Sequence, residues 1–233
     1  MLIPSIDLMG GRIVQLVHGE KLRLAFDDFE YWIERFSQYP LVQLIDLDAA
    51  MRHGSNRGLI ERISRRLPCQ VGGGIGTVEK AAEVLESGAR RVIVGSALFR
   101  AKAYGDDGES DFVDTDFADE LSQTIGIERV VCGVDAKSGR IAVKGWTEQM
   151  ELTPEAAIVE LEPYCAAFLY THIDKEGTMQ GFPLEIAKRL RERTKRQLIV
   201  AGGIREMAEI EALHSINVDA VAGMAVYTGV LQA

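Results

Sequence analysis

Two hydrophobic rhythms alternate along this chain. Short aliphatic and β-branched runs at 2–7, 41–47, 69–73, 91–95, 130–135, 167–171, 197–201 and 219–223 read as strands. Between them, residues 28–38, 59–66, 78–85, 117–125, 154–162, 183–194 and 206–213 space their apolar side chains at helical intervals, as Phe29, Trp32, Ile33 and Phe36 do in the first. Gly10-Gly11 turns the chain early into an alternating stretch, 12–17, of hairpin character. Strand, helix, strand in repetition implies a parallel sheet covered by helices. Eight strands and about as many helices in 233 residues predict an α/β fold, a single (β/α)8 TIM barrel domain over 1–233. A doubly wound open sheet is the competing architecture. It would carry G-x-G-x-x-G in its first strand-to-helix turn, where this chain has no such motif.

Glycines and carboxylates gather at the ends of the strands, where such barrels keep their active sites. The run Gln70-Val71-Gly72-Gly73-Gly74-Ile75 has an echo in Val200-Ala201-Gly202-Gly203-Ile204, 129 residues on. Asp7 and Asp135, each ending a strand, stand 128 residues apart, and so do Gly95 of Val94-Gly95-Ser96-Ala97 and Gly223 of Ala222-Gly223-Met224-Ala225. The period predicts two similar half-barrels. Glycine turns that lead into helices expose backbone N–H groups to anions. Closing the ring sets two such sites opposite one another, with Asp7 and Asp135 between them. A ligand phosphorylated at both ends fits that plan, and two carboxylates are suited to acid–base chemistry upon it. The plainer reading of either Asp is a helix or loop cap.

Composition narrows the chemistry. A net charge of −9 argues against non-specific binding to nucleic acid or to an anionic membrane. No apolar run reaches the length of a membrane span and no signal segment follows Met1, so a cytoplasmic protein is expected. Cys69, Cys132 and Cys165 lie far apart in apolar runs and read as buried thiols. No metal cluster, activated nucleophile or dinucleotide fingerprint is evident, which favours an isomerisation without metal or cofactor. Arg62, Arg65 and Arg66 read as a solvated helix face. The stretch 101–119, with Gly105-Asp106-Asp107-Gly108-Glu109-Ser110, reads as an acidic surface loop and lacks the ligand spacing of a calcium loop.

Taken in order, Leu2-Ile3-Pro4-Ser5-Ile6-Asp7-Leu8, Ile45-Asp46-Leu47-Asp48-Ala49-Ala50, the triple-glycine run, Val134-Asp135-Ala136, Lys144-Gly145-Trp146 and Lys175-Glu176-Gly177-Thr178 resemble the HisA family. Its members are phosphoribosylformimino-5-aminoimidazole carboxamide ribotide isomerases of histidine biosynthesis. The resemblance spans essentially the whole chain, with 101–119 as an insertion. It implies a (β/α)8 barrel that performs an Amadori rearrangement, converting a bis-phosphorylated aminoaldose (ProFAR) to an aminoketose (PRFAR); a monomer is expected. It also implies Asp7 as base, Asp135 as acid, Thr171 at the reacting region and Trp146 stacked on the imidazole. Gly73, Gly74, Gly95, Ser96, Gly177, Gly202, Gly203, Gly223 and Met224 are the expected phosphate and substrate contacts.

The chain departs from the family pattern at Gln15 and Gly76, where Arg is usual, at Gln43, where His is usual, and at His172, where an acid is usual. Glu176 stands where Asp is commoner. Arg205, Lys175 and Arg57 are candidates to restore the missing charge. His172 follows Thr171 directly, so it should point away from the barrel interior and pack. Three rivals share the fold: the cyclase subunit of imidazole glycerol phosphate synthase, a bifunctional isomerase that also accepts phosphoribosylanthranilate, and an inactive phosphometabolite-binding barrel. Ser5-Ile6-Asp7-Leu8 disfavours the first, the missing Arg residues the second, and retention of both Asp residues the third.

Overall fold

A ring of eight parallel strands is closed by the pairing of its last strand with its first. The computed structural model describes residues 1–100 and 112–231. Strands β1 (Leu2–Met9), β2 (Val42–Asp46), β3 (Cys69–Gly72), β4 (Arg91–Val94), β5 (Val130–Gly133), β6 (Ala167–Thr171), β7 (Gln197–Ala201) and β8 (Val218–Ala222) pair in chain order. The register Leu2↔Ala220, Ile3↔Val221 and Pro4↔Ala222 joins β8 to β1. Helices α1 (Phe29–Phe36), α2 (Arg57–Ser64), α3 (Val78–Glu86), α4 (Thr115–Ile125), α5 (Pro154–Leu161), α6 (Leu184–Arg191) and α7 (Met207–Ser215) lie in the connections. The predicted (β/α)8 barrel is the observed fold.

Local chemistry sets where helices start. Asp28, Thr77, Asp114 and Thr153 each accept a hydrogen bond from a backbone N–H in the first turn that follows, and Pro154 takes the first helical position of α5. Side-chain parity then sorts each strand. In β1, Ile6 and Leu8 face the helices in the large apolar layer, whereas Ile3 joins Ile93, Val131, Leu169, Ile199 and Val221 inside the ring. Asp7 is in phase with Ile3, so the inward face of β1 ends in a carboxylate. Cys69, Cys132 and Cys165 are free and buried.

Several elements differ from the sequence reading. The stretch 12–17 is the expected hairpin strand, Arg12–Val17, paired antiparallel with β1, but a further strand, Lys21–Phe26, which the pattern did not announce, extends it. Phe26 anchors that strand by stacking on Tyr227 at 5.3 Å between ring centroids and meeting Trp32 edge-on at 5.1 Å. After β5, Ala136–Lys137, Arg140–Val143 and Glu148–Gln149 form a small three-stranded sheet that periodicity did not announce. Asp135 therefore lies two residues beyond its strand rather than in it. Of 101–119, Gly105 to Ser110 lies outside the described residues; Phe112–Val113 pairs with Phe99–Arg100 and α4 begins at Thr115, so regular structure resumes earlier than expected.

The opposite end of the ring is closed by polar side chains. Arg91 donates to Gln70 at 2.8 Å and to Gln197 at 2.7 Å; Gln70 donates to Gln43, and Gln197 donates to Asp219, which also holds the amino terminus. Removing the guanidinium strands two amide oxygens that have lost their charged donor. Arg91→Met is expected to cost roughly 2 kcal/mol or more, which lowers the melting temperature by about 4–8 °C in a chain of this size. Thermal unfolding followed by circular dichroism checks this, and an unchanged midpoint would show that the plug contributes nothing.

Candidate active site

At the C-terminal ends of the strands the ring opens into a cavity of about 610 Å³. Asp7, Asp135, Thr171, Trp146, Gly177 and Ser96 all line it, as do Gly73, Gly74 and Gly95 of the first half and Gly202, Gly203, Gly223 and Met224 of the second. β1 and β5 are four strands apart in a ring of eight, so Asp7 and Asp135 approach from opposite walls.

The two halves repeat in backbone detail. Gly73 (φ +102°) and Gly74 (φ +68°) are matched by Gly202 (φ +108°) and Gly203 (φ +86°), conformations that disfavour a side chain. A Cβ on Gly73 would collide with the Asp46 carbonyl, and one on Gly202 with that of His172, so each glycine lets its turn press against the end of the preceding strand. Gly95 (φ −115°, ψ −97°) and Gly223 (φ −101°, ψ −86°) likewise share one conformation, each opening a helical turn, Ser96–Leu98 and Met224–Tyr227. The glycines thus have a packing role that phosphate binding alone does not require.

The carboxylates sit in different surroundings. Asp7 accepts from Ser5 Oγ at 2.8 Å and from Gln15 Nε2 at 3.4 Å; burial pushes its pKa up to about 6 against the pull of both donors. Asp135 Oδ2 accepts from the Trp146 indole at 2.8 Å, while its Oδ1 is buried with no hydrogen-bond partner of sound geometry among the described residues. Burial raises its pKa as well, offset in part by Thr171 and Trp146. Trp146 adopts φ +69° and lies so close to Gly19 that a Cβ there would strike its ring. Among the described residues neither Asp caps a helix.

Sequence reasoning left one group out of the site. Glu176, beyond β6, lines the cavity as a third carboxyl, and burial together with the charges of Asp7 and Asp135 pushes its pKa up to about 8. Its place in Lys175-Glu176-Gly177-Thr178, a few residues after the β6 strand end, was the available signal.

The expected compensating charges lie elsewhere. Arg205 pairs with Glu206 and Glu209, Arg57 with Glu83, and Lys175 donates to Gln180; none of the three lines the cavity. The basic side chains on its wall are Arg52 and Lys144, the second paired with Glu148. Gln43 lines the cavity floor, and beside Gly76 there is open space. His172 is half-buried and turned from the cavity, its Nδ1 3.3 Å from the Tyr170 hydroxyl and its ring edge-on to Phe182. In the first half the matching place is held by Asp46, which accepts from Ala49 N and from Asn56. Among the described residues no group of three or more His, Cys, Asp or Glu side chains is arranged to hold a metal ion, and no helix is long and apolar enough to cross a membrane.

A carboxyl whose folded pKa exceeds its unfolded value favours folding only while protonated. For Glu176 that stability is complete below about pH 4.5 and is lost as pH rises through about 8. Glu176→Gln should match the parent protein in thermal stability near pH 4.5 and exceed it above pH 8, by roughly 10–20 °C. Calorimetry at both pH values decides; an equal difference at the two would remove the repulsion among the three carboxyls from the account.

Comparison with known proteins accords with this geometry. The family model described as "Histidine biosynthesis protein" matches residues 1–232. The chain is 33% identical to a protein of Methanocaldococcus jannaschii, over 99% of this chain and 95% of the relative. It is 33% identical to one of Methanosarcina barkeri, over 97% and 92%. A relative from Methanothermobacter thermautotrophicus is 29% identical, over 99% and 95%. All three are named 1-(5-phosphoribosyl)-5-((5-phosphoribosylamino)methylideneamino) imidazole-4-carboxamide isomerase. A full-length match to the family model, on a barrel whose expected site residues meet in one cavity, places this chain in the histidine biosynthesis protein family.

Proposed function

We propose that the chain is an aldose–ketose isomerase that carries out the Amadori rearrangement of a bis-phosphorylated aminoaldose, ProFAR, to the aminoketose PRFAR. The observation that carries this reading is the pair of desolvated carboxyls on opposite walls of one cavity, midway between matched glycine turns. The two phosphates lie in the two glycine cradles, with Arg52 and Lys144 supplying positive charge at the rim. The protein acts as a cytoplasmic monomer, with no metal or cofactor.

The chemistry follows from proton placement. Asp135, whose burial favours the protonated form, donates to the ribose ring oxygen as the C1′–O bond breaks, and the nitrogen lone pair forms the Schiff base. Asp7, ionised above about pH 6, then removes the C2′ proton; the electron pair of that C–H bond moves into an enolamine. The C2′ hydroxyl of the enolamine then gives up its proton, to the Asp135 carboxylate left by the first step, as C1′ takes one from Asp7, and the aminoketose results. Atoms and electrons balance within the substrate, so no oxidant or reductant is consumed. Thr171 steadies Asp135, and Trp146 swings from it to stack on the imidazole.

Asp7→Asn and Asp135→Asn keep shape and lose proton transfer. Both should fold and bind substrate while turnover falls roughly 10²- to 10⁴-fold. Exchange of the C2′ hydrogen with solvent separates the roles: Asp7→Asn should abolish it, and exchange at the parent rate would show that another group is the base. Crystals grown in sulfate should hold anions at Gly74–Gly95 and at Gly203–Gly223. Occupancy in one half alone would contradict a ligand phosphorylated at both ends.

A further inference from the structure

We propose that Ser5 and Gln15 are positioning residues that hold the Asp7 carboxylate, one neutral donor on each oxygen, in the orientation from which it takes the substrate proton. The proposal rests on the isomerase reading above and concerns the same site. Ser5 stands two residues before Asp7 on the inward face of β1, so its hydroxyl reaches Oδ1 along the strand, at 2.8 Å. Gln15 comes from the neighbouring antiparallel strand, where Val14 is paired with Asp7.

The Gln15 amide has little freedom. Its Nε2 donates to the Val14 carbonyl at 2.8 Å and to Asp7 Oδ2 at 3.4 Å, and its Oε1 lies where any Cβ on Gly223 would be. A flipped amide would turn its oxygen on a carbonyl and a carboxylate together, so the orientation is dictated by chemistry. Ser5 and Gln15 are both almost wholly buried. Two buried polar side chains converge on one carboxylate, and the second is braced against the glycine turn of the second half.

Among the described residues, the groups facing Asp7 bring no compensating cation. Glu176 approaches from the loop after β6, Asp135 from the far wall, and the Tyr227 hydroxyl from the turn after β8. The neutral donors therefore oppose burial, and without one of them the carboxyl should titrate higher.

Carbon-13 carboxyl labelling of aspartate, with Asp7→Asn to assign the resonance, measures that titration without turnover. The parent midpoint is expected at about 6. Ser5→Ala and Gln15→Met should each raise it by roughly half to one pH unit. The acid limb of kcat/KM should move up by the same amount, and Ser5→Thr, which keeps the hydroxyl, should restore both. If midpoint and limb stay in place in both variants while the fold is intact, the two side chains only pack and the proposal is wrong. If the parent protein fails to convert the aminoaldose, the isomerase reading falls, and the titration alone still decides for or against Ser5 and Gln15.

Discussion

Everything in this molecule depends on the closing pair between β8 and β1. An open sheet has two faces, whereas a ring has an inside, and alternation along each strand then decides which side chains share it. Ile3, Ser5 and Asp7 follow one another up a single inward row: an apolar plug, a donor, a carboxylate. The other phase, Ile6 and Leu8, is committed to the helix layer. A shift of one residue in the β1 register would send Asp7 into the apolar layer, so the pairings that fix the fold also fix the chemistry.

The cavity sets charge against stability. Three carboxyls share a space from which much of the water is excluded, and the chain lends them mostly neutral donors: Ser5, Gln15, Thr171 and Trp146. Neutral donors hold geometry while leaving each group's proton affinity high, which a guanidinium beside them would not do. The cations stay at the rim, and the far end of the ring, where Arg91 and its amides close the interior, is where positive charge is admitted to the barrel.

How much of this was legible follows from what a linear pattern can carry. Strand and helix periodicity announced the ring, and the repeated spacing of Asp7 with Asp135 and of Gly73 with Gly202 announced the halves, because both depend on short-range order. Lys21–Phe26 and the small sheet after β5 were missed because these strands are short excursions from the ring, held by contacts such as Phe26 on Tyr227 that join distant segments. Arg205, Lys175 and Arg57 were poor guesses for a similar reason. A long cationic side chain at the surface pairs with whichever acceptor stands nearest, and Glu209, Gln180 and Glu83 stood nearer than the cavity.

The matched glycine turns raise a question of direction. A cavity with equivalent cradles at both ends and a carboxylate on each wall is nearly superimposable on itself after half a turn, so a ligand gripped at both ends could enter either way round with almost equal ease. The loops after β5 and β6 bring Trp146 and Glu176 to the cavity, whereas those after β1 and β2 bring Leu16, Gly19, Leu47, Ala49, Ala50, Met51 and Arg52, with neither an aromatic ring nor a carboxyl among them. On the function proposed above, the duplicated backbone would supply the grip, and the unduplicated side chains would be what tells the ligand's head from its tail.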